Sequence, residues 1–338
     1  MNPADPPECR RRGDVPPAML KPARLPRLLR AALGDWLVIA ACWFAMAQGP
    51  APLLPLWVIV VAGRLHALGV VLHDACHMRR EAPTASSRML ELLAGYPIAT
   101  TLPAMRYHHL RHHRHSGMRL DPYFKDGASS RLGPAVVGRL RGLVMPVAWI
   151  VRAYVGCAAL VVPRLRNVYG RFFLGERSDA DLRDHGEILR CLRAEPGQAL
   201  FFLALLPLAL YKPGAFAVGY ALPLLVAGVC NANRVIAEHV HVPVDDRRPA
   251  TIVATTLTHD WDWGGRLLLY PRNIGFHVAH HLHPTAAMDC LPALHAWYCE
   301  HEPGYGGRPT QPPQRFRITA WSSSPAQRHS RRPPWSSR

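Results

Sequence analysis

Histidine supplies 19 of the 338 residues, and many of them are spaced for shared work. His73 and His77 are four apart, which brings both imidazoles to one face of a helix. His109, His112 and His113 have the spacing H-x-x-H-H, inside a tract that runs from Tyr107 to His115. Far along the chain His277, His280 and His281 repeat H-x-x-H-H, and His239 lies in Glu238-His239-Val240-His241. Imidazole is a neutral ligand suited to iron, zinc, copper or nickel. One zinc ion takes three or four ligands, so eight or nine aligned histidines exceed a single site and suffice for two metals with open positions. Two irons together can activate O2 and take hydrogen from an unactivated C–H bond, while the protein binds, orients and tunes. The register of the middle cluster stays open, because His108 and His112 are also an i, i+4 pair. His115, His241 and His283 read as outer or surface groups; His66, His185, His259, His295, His301 and His329 stand alone and receive no role.

Such side chains need elements that carry them to one place. Hydrophobic residues make up 49% of the chain and charged residues 19%, the latter below the roughly 25% of soluble domains. The apolar residues are clustered. Residues 31–47 and 51–72 are each about long enough to cross a roughly 30 Å hydrocarbon core, and the short Gln48-Gly49-Pro50 link makes them a hairpin. Arg64 and His66 in the second run must snorkel or face protein. Residues 88–105 are apolar, short and interrupted by two prolines, which fits a re-entrant or interfacial segment. Residues 134–162 carry Arg139, Arg141 and Arg152 and read as a helix lying at the interface. Residues 163–196 read as a polar cytoplasmic segment. Residues 198–211 and 215–229, linked by Lys212-Pro213-Gly214, form a second hairpin. The expected fold is therefore an all-α integral membrane protein. About four transmembrane helices form two hairpins, and a cytoplasmic helical cap holds the histidine-rich site. Four crossings return every histidine cluster to the N-terminal side, which the basic N-terminus marks as cytoplasmic.

The formal charge of +17 admits nucleic-acid binding. The basic residues flank apolar runs, however, as in loops facing anionic lipid. Residues 1–30, basic and Pro-rich, and residues 303–338, rich in Pro, Ser and Arg, read as disordered, the former alternatively lying along the membrane. Neither an early apolar core nor an A-x-A-like site supports a cleaved signal. The eight cysteines form no C-x-x-C pair, and Cys42, Cys157 and Cys230 fall in apolar runs; this is no disulfide framework and suits a reducing compartment.

Across residues 31–302 the chain resembles the membrane fatty acid desaturases, a histidine-box di-iron superfamily that extends to alkane hydroxylases and carotenoid oxygenases. The boxes occur in order: His73 and His77 with Asp74 in an H-D-x-x-H setting; His109, His112 and His113, with Asp121-Pro122 beyond; and His277, His280 and His281, with Asn273 before and Pro284 after. The Thr-Asn common after the second box is absent. The resemblance implies that these eight histidines and His239 bind two iron ions. It makes Asp74 and Glu238 candidates to orient imidazoles, an interfacial salt bridge being the alternative for both, with His108 as an outer candidate or replacement ligand. It implies O2-dependent desaturation of a long acyl chain in a bacterial-type inner membrane. No H-P-G-G haem motif, C-x4-C-x2-C cluster motif or G-x-G-x-x-G is present, so electrons are expected from a separate ferredoxin or cytochrome b5-like protein. Trp261, Trp263, Tyr270 and Phe276 are expected to anchor at the interface rather than line a channel. A hydroxylase or ketolase of the same superfamily is the nearest alternative. A membrane metal transporter is the non-enzyme one, disfavoured because the histidines lie at span ends rather than inside several spans.

Overall fold

A computed structural model of the chain describes residues 13–79, 82–124 and 132–306. The larger helices are α1 (Leu25–Gln48), α2 (Leu54–Cys76), α3 (Ala85–Leu90), α4 (Leu102–His115) and α5 (Leu132–Val161). After the short α6 (Arg164–Val168) come α7 (Gly186–Tyr211), α8 (Pro213–Phe216) and α9 (Leu222–Ala237). The C-terminal part consists of α10 (Pro249–Thr255), α11 (Trp263–Leu268), α12 (His277–Leu282), α13 (Leu291–His301) and α14 (Pro303–Gly306). Among the described residues there is no strand, only isolated bridges between Pro22 and Ala286 and between His239 and Thr256. Five helical stretches, within α1, α2, α5, α7 and α8–α9, are long and apolar enough to cross a membrane.

Local sequence explains the boundaries. Proline in the first turn of α1, α2, α4 and α9 sits where its missing N–H costs nothing. Gly49-Pro50 stops α1 because proline cannot continue a helix. Thr101 caps α4 by accepting from the Ala104 N–H. α1 packs along α2, α2 against α9 and α4, and α5 against both α7 and α9. Close approach depends on glycine at two crossings. A Cβ on Gly142 would meet the backbone of Gly228 and Val229 at 2.7 Å, and one on Gly63 would meet the Leu267 carbonyl oxygen at 2.4 Å.

The charges inside apolar helices are paired, as a low-dielectric setting requires. Asp35 on α1 takes Arg64 Nη1 at 3.2 Å and Arg272 Nη2 at 2.6 Å. His66 Nδ1 lies 2.7 Å from the Leu268 carbonyl. On α5, Arg152 is fully buried. It faces Glu195 of α7 at 3.0 Å and donates to Gln198 Oε1 at 3.0 Å, while Tyr169 donates its hydroxyl to the same Glu195.

Several expectations need correction. The segment 1–30 was expected to be disordered or on the membrane surface. Residues 1–12 lie outside the described residues, but 13–30 are held in place. Val15 is buried in a core cluster with Met288 and Leu291, the Ala287 N–H donates to the Lys21 carbonyl, and α1 already begins at Leu25. Most of the tail 303–338 likewise lies outside; its first residues form α14, with Tyr305 buried. Residues 134–162, expected to lie at the interface, contain a fifth helical stretch long and apolar enough to cross a membrane, by length and composition alone. Their arginines suggested an interfacial helix, yet Arg152 turns inward to a carboxylate. The polar segment 163–196 is largely helical: α6 occupies its start, and α7 begins at Gly186, twelve residues before the apolar limb. Residues 88–105 comprise the end of α3, a wide π turn over Glu91–Gly95, a tight turn at Ala99 with φ of +59°, and the start of α4.

Candidate metal centre

The nine candidate ligands converge from four parts of the chain. His73 is at the C-terminal end of α2 and His77 is the residue that ends it. α4 carries His109, His112 and His113, and α12 carries His277, His280 and His281. His239 follows α9, held by its bridge to Thr256. They fall into two groups. His73, His77, His109, His113 and His280 form the first, and His112, His239, His277 and His281 the second; the ligand atoms within each lie within 4.8 Å of one another. The H-x-x-H-H boxes are each divided. In α4 the i, i+4 pair His109 and His113 serves the first group and His112 the second. In α12 the pair His277 and His281 serves the second and His280 the first. The groups share a wall, with the His113 and His281 rings stacked at 4.3 Å.

The donor geometry fits metal ions better than hydrogen bonding. In the first group, Nε2 of His109 lies 2.9 Å from Nε2 of His77 and 3.0 Å from that of His113, which lies 3.0 Å from that of His280. The second group has the same run, His112–His239–His277–His281, with each Nε2 contact 3.1 Å. A neutral imidazole nitrogen carries a proton or offers a lone pair, never both. Three contacts among four such atoms therefore cannot all be two-centre hydrogen bonds, whereas a cation at the focus would take every lone pair. Burial holds His77 at about 3 and, with neighbouring imidazoles, holds His109, His113, His239, His277, His280 and His281 well below the ordinary value. Neutral rings are what ligation requires.

The two candidate registers of the middle box point different ways. His109 faces the first group, whereas His108 points to Tyr123, its Nδ1 2.6 Å from the hydroxyl. Of the two carboxylates proposed to orient imidazoles, Glu238 is at the site. Its Oε2 lies 3.5 Å from His277 Nε2 and 2.6 Å from Arg234 Nη1, its Oε1 is buried without a partner, and burial pushes its carboxyl up to about 7 against the pull of Arg234. Among the described residues Asp74 bonds no imidazole. It accepts from the Met288 N–H at 3.4 Å and faces a surface cavity. Of the four aromatics, Trp263 is 81% exposed, while Tyr270 and Phe276 are buried in the core around α12.

Two residues that sequence reading gave no role complete the surroundings. Asp121, in the turn after α4, holds His112 Nδ1 at 2.9 Å and also accepts from the N–H groups of Gly117 and Tyr123. Burial would raise its carboxyl, but His112 and these hydrogen bonds reverse the effect and carry it below its ordinary value. Such a carboxylate fixes the proton on Nδ1 and aims the Nε2 lone pair at the metal. Its signal was a carboxylate eight residues beyond a histidine box. Arg247 donates from Nη2 to His281 Nδ1 at 3.1 Å. A ring accepting at Nδ1 carries its proton on Nε2, so ligation by His281 requires the other tautomer and a turn of Arg247. No pattern in the sequence marked that residue.

Apolar helices that end in two clusters of converging, neutral imidazoles define a membrane-type protein with a histidine-rich site that could hold metal ions. The sequence matches the fatty acid desaturase family over residues 49–313, more than three quarters of the chain, and the protein belongs to that family. A search of curated protein sequences found no match.

Proposed function

We propose that the protein is a di-iron, O2-dependent desaturase that introduces a double bond into a long acyl chain held in the membrane. The observation that carries this reading is the division of nine histidines, seven of them buried, into one group of five and one of four, at the ends of helices apolar enough to span. Two iron ions bound there would supply O2 activation and hydrogen removal from an unactivated methylene pair. The chain's own part is to hold and orient. His73, His77, His109, His113 and His280 would hold one ion, and His112, His239, His277 and His281 the other. Asp121 keeps the His112 proton on Nδ1, and Arg234 anchors Glu238 beside the group with four histidines. A four-ligand group leaves positions free for small molecules, and burial of the rings excludes bulk water.

The protein would act in a bacterial-type inner membrane with the boxes on the cytoplasmic side. Support comes from α5, whose early residue Gly138 abuts Ile236 near the site end of α9 and whose later residue Gly156 abuts Glu195, three turns into α7. On this reading α5, though long and apolar enough to span, would begin and end on the side of the site, leaving four crossings in α1, α2, α7 and α8–α9. Electrons would come from a separate ferredoxin or cytochrome b5-like protein, and O2 and a long-chain lipid are the other reactants.

The test is mass spectrometry of lipids from a host expressing the chain, with His277→Ala as control and an electron donor supplied. A new double bond, absent with the variant, is expected. A product with a new oxygen would assign the hydroxylase or ketolase chemistry of the same superfamily. Unchanged lipids with a metal-loaded protein would refute desaturation.

A further inference from the structure

A second chamber of about 390 Å³ lies outside the histidine groups, between the first turns of α1 and the last turns of α2. Its lining carries four guanidiniums, Arg24, Arg27, Arg30 and Arg272, against two carboxylates, Asp74 and Asp289. The two sets are unevenly matched. Arg27 pairs with Asp289, and Arg272 is drawn to Asp35. Arg24 and Arg30 have no carboxylate partner among the described residues, and both are exposed. Opposite the arginines the wall is apolar, formed by Leu28, Val70, Val71 and Met288. The chamber is therefore amphipathic: cationic at the rim and greasy along the helices. It sits where the α1–α2 hairpin leaves its apolar stretch.

We propose that this chamber binds the phosphate-bearing headgroup of a membrane glycerophospholipid. Guanidinium is the side chain best matched to phosphate, because its planar fork meets two oxygens at once. Arg24 and Arg30 are free to do so, while Arg27 and Arg272 are held by their carboxylates and supply charge to the wall. Leu28, Val70 and Val71 would take the glycerol and the first methylenes of a chain that continues along the hairpin into the bilayer. The chamber faces Asp74, the neighbour of His73, so a lipid held there lies beside the first histidine group. The inference concerns binding and does not depend on which oxidation the centre performs.

The test compares metal-loaded wild type with the Arg24→Gln/Arg30→Gln double variant, purified in detergent. Retention of phosphatidylglycerol is read by native mass spectrometry, with phosphatidylcholine as the zwitterionic comparison and pyrophosphate as a phosphate without a lipid. Arg193→Gln, an exposed arginine on α7, controls for general surface charge. A juxtamembrane arginine strengthens an anionic headgroup about fivefold, so the double variant should weaken phosphatidylglycerol roughly 30-fold and Arg193→Gln should not. Ala31→Phe, which narrows the chamber and keeps its charge, should also lose the lipid. Equal retention by wild type and both chamber variants overturns the proposal, as does wild type that prefers phosphatidylglycerol no more than phosphatidylcholine. Displacement of the lipid by equimolar pyrophosphate would assign a free-phosphate site instead. Because the readout is lipid retention, its failure would leave the desaturase reading untouched, and a failure of desaturation would leave it standing.

Discussion

Asp121→Asn replaces one oxygen of a carboxylate that serves three donors. Asp121 takes His112 Nδ1 at 2.9 Å and the Tyr123 N–H at 2.8 Å on Oδ1, and the Gly117 N–H at 3.0 Å on Oδ2. Asparagine has one carbonyl oxygen and one amide group, so either the Gly117 N–H or the His112 pair faces a second donor. Losing a hydrogen bond to a charged group costs about 1.5–3 kcal/mol. The same energy is roughly 10- to 100-fold in a binding constant, the range by which removal of a carboxylate behind a metal-bound histidine weakens metal affinity. The loss should be local, because His112 serves only the group of four. Anaerobic titration of metal-free protein with Fe(II), with metal content by elemental analysis, should show about two ions per chain in wild type. In the variant one ion should stay tight and the other weaken by that factor. Asp74→Asn, which touches no imidazole, should keep both. Two ions held as tightly as in wild type, or both lost together while the metal-free protein unfolds at its usual temperature, would refute the assigned role of Asp121.

Other outcomes are as specific. His109→Ala should lose the ion of the first group, whereas His108→Ala should keep full metal content and lose only its contact with Tyr123, as elemental analysis of the two side by side will show. Arg152→Met alone strands the buried Glu195 and should cost about 3–5 kcal/mol in unfolding in detergent; Arg152→Met/Glu195→Leu should recover much of that. A Cβ on Gly275 would meet the His259 carbonyl oxygen at 2.3 Å, so Gly275→Ala should displace α12, cost about 1–3 kcal/mol and reduce bound metal. Burial raises the Glu176 carboxyl, but Tyr107, Ser178 and Arg111 outweigh it and hold it at about 2, below its ordinary 4.5. A carboxylate depressed in the folded state stabilises it above the unfolded pKa, so this contribution is complete above about pH 5 and is lost as pH falls from 4.5 towards 2. Glu176→Gln should flatten stability against pH in that window, measured by thermal unfolding of the metal-free protein.

The candidate ligands were legible because their chemistry leaves a spacing. Helical i, i+4 pairs and the repeated H-x-x-H-H identify His73, His77, His109, His112, His113, His277, His280 and His281 without any fold. What the pattern could not give is the allocation. Whether His112 joins His109 or departs from it depends on where α9 delivers His239, more than a hundred residues on. Asp121 was visible only as a carboxylate near a box, since a single carboxylate has no periodicity to betray it. Arg247 left no sign at all, because contact across loops is not written in local spacing. The apolar helices were legible from composition, but α5 shows the limit of that signal. Its arginines argued for a watery face until a partner, Glu195, appeared on another helix. The start of α7 was misplaced for a related reason, while its end at Tyr211 was not. Its first turns are polar, and its helical length comes from packing rather than from an apolar run.

The crossed allocation of the two H-x-x-H-H boxes bears on how the protein comes into being. Each group takes at least one imidazole from α12, which lies near the end of the described chain, and at least one from α4. As the polypeptide leaves the ribosome, the early helices can enter the bilayer long before either pocket is whole. Under the proposed function, filling of the second group would then be a late event that ties the first and last parts of the chain together. A product stopped short of His277 would keep four of the five imidazoles of the first group but only His112 and His239 of the second, so the second cup is the one that waits for the end of the chain.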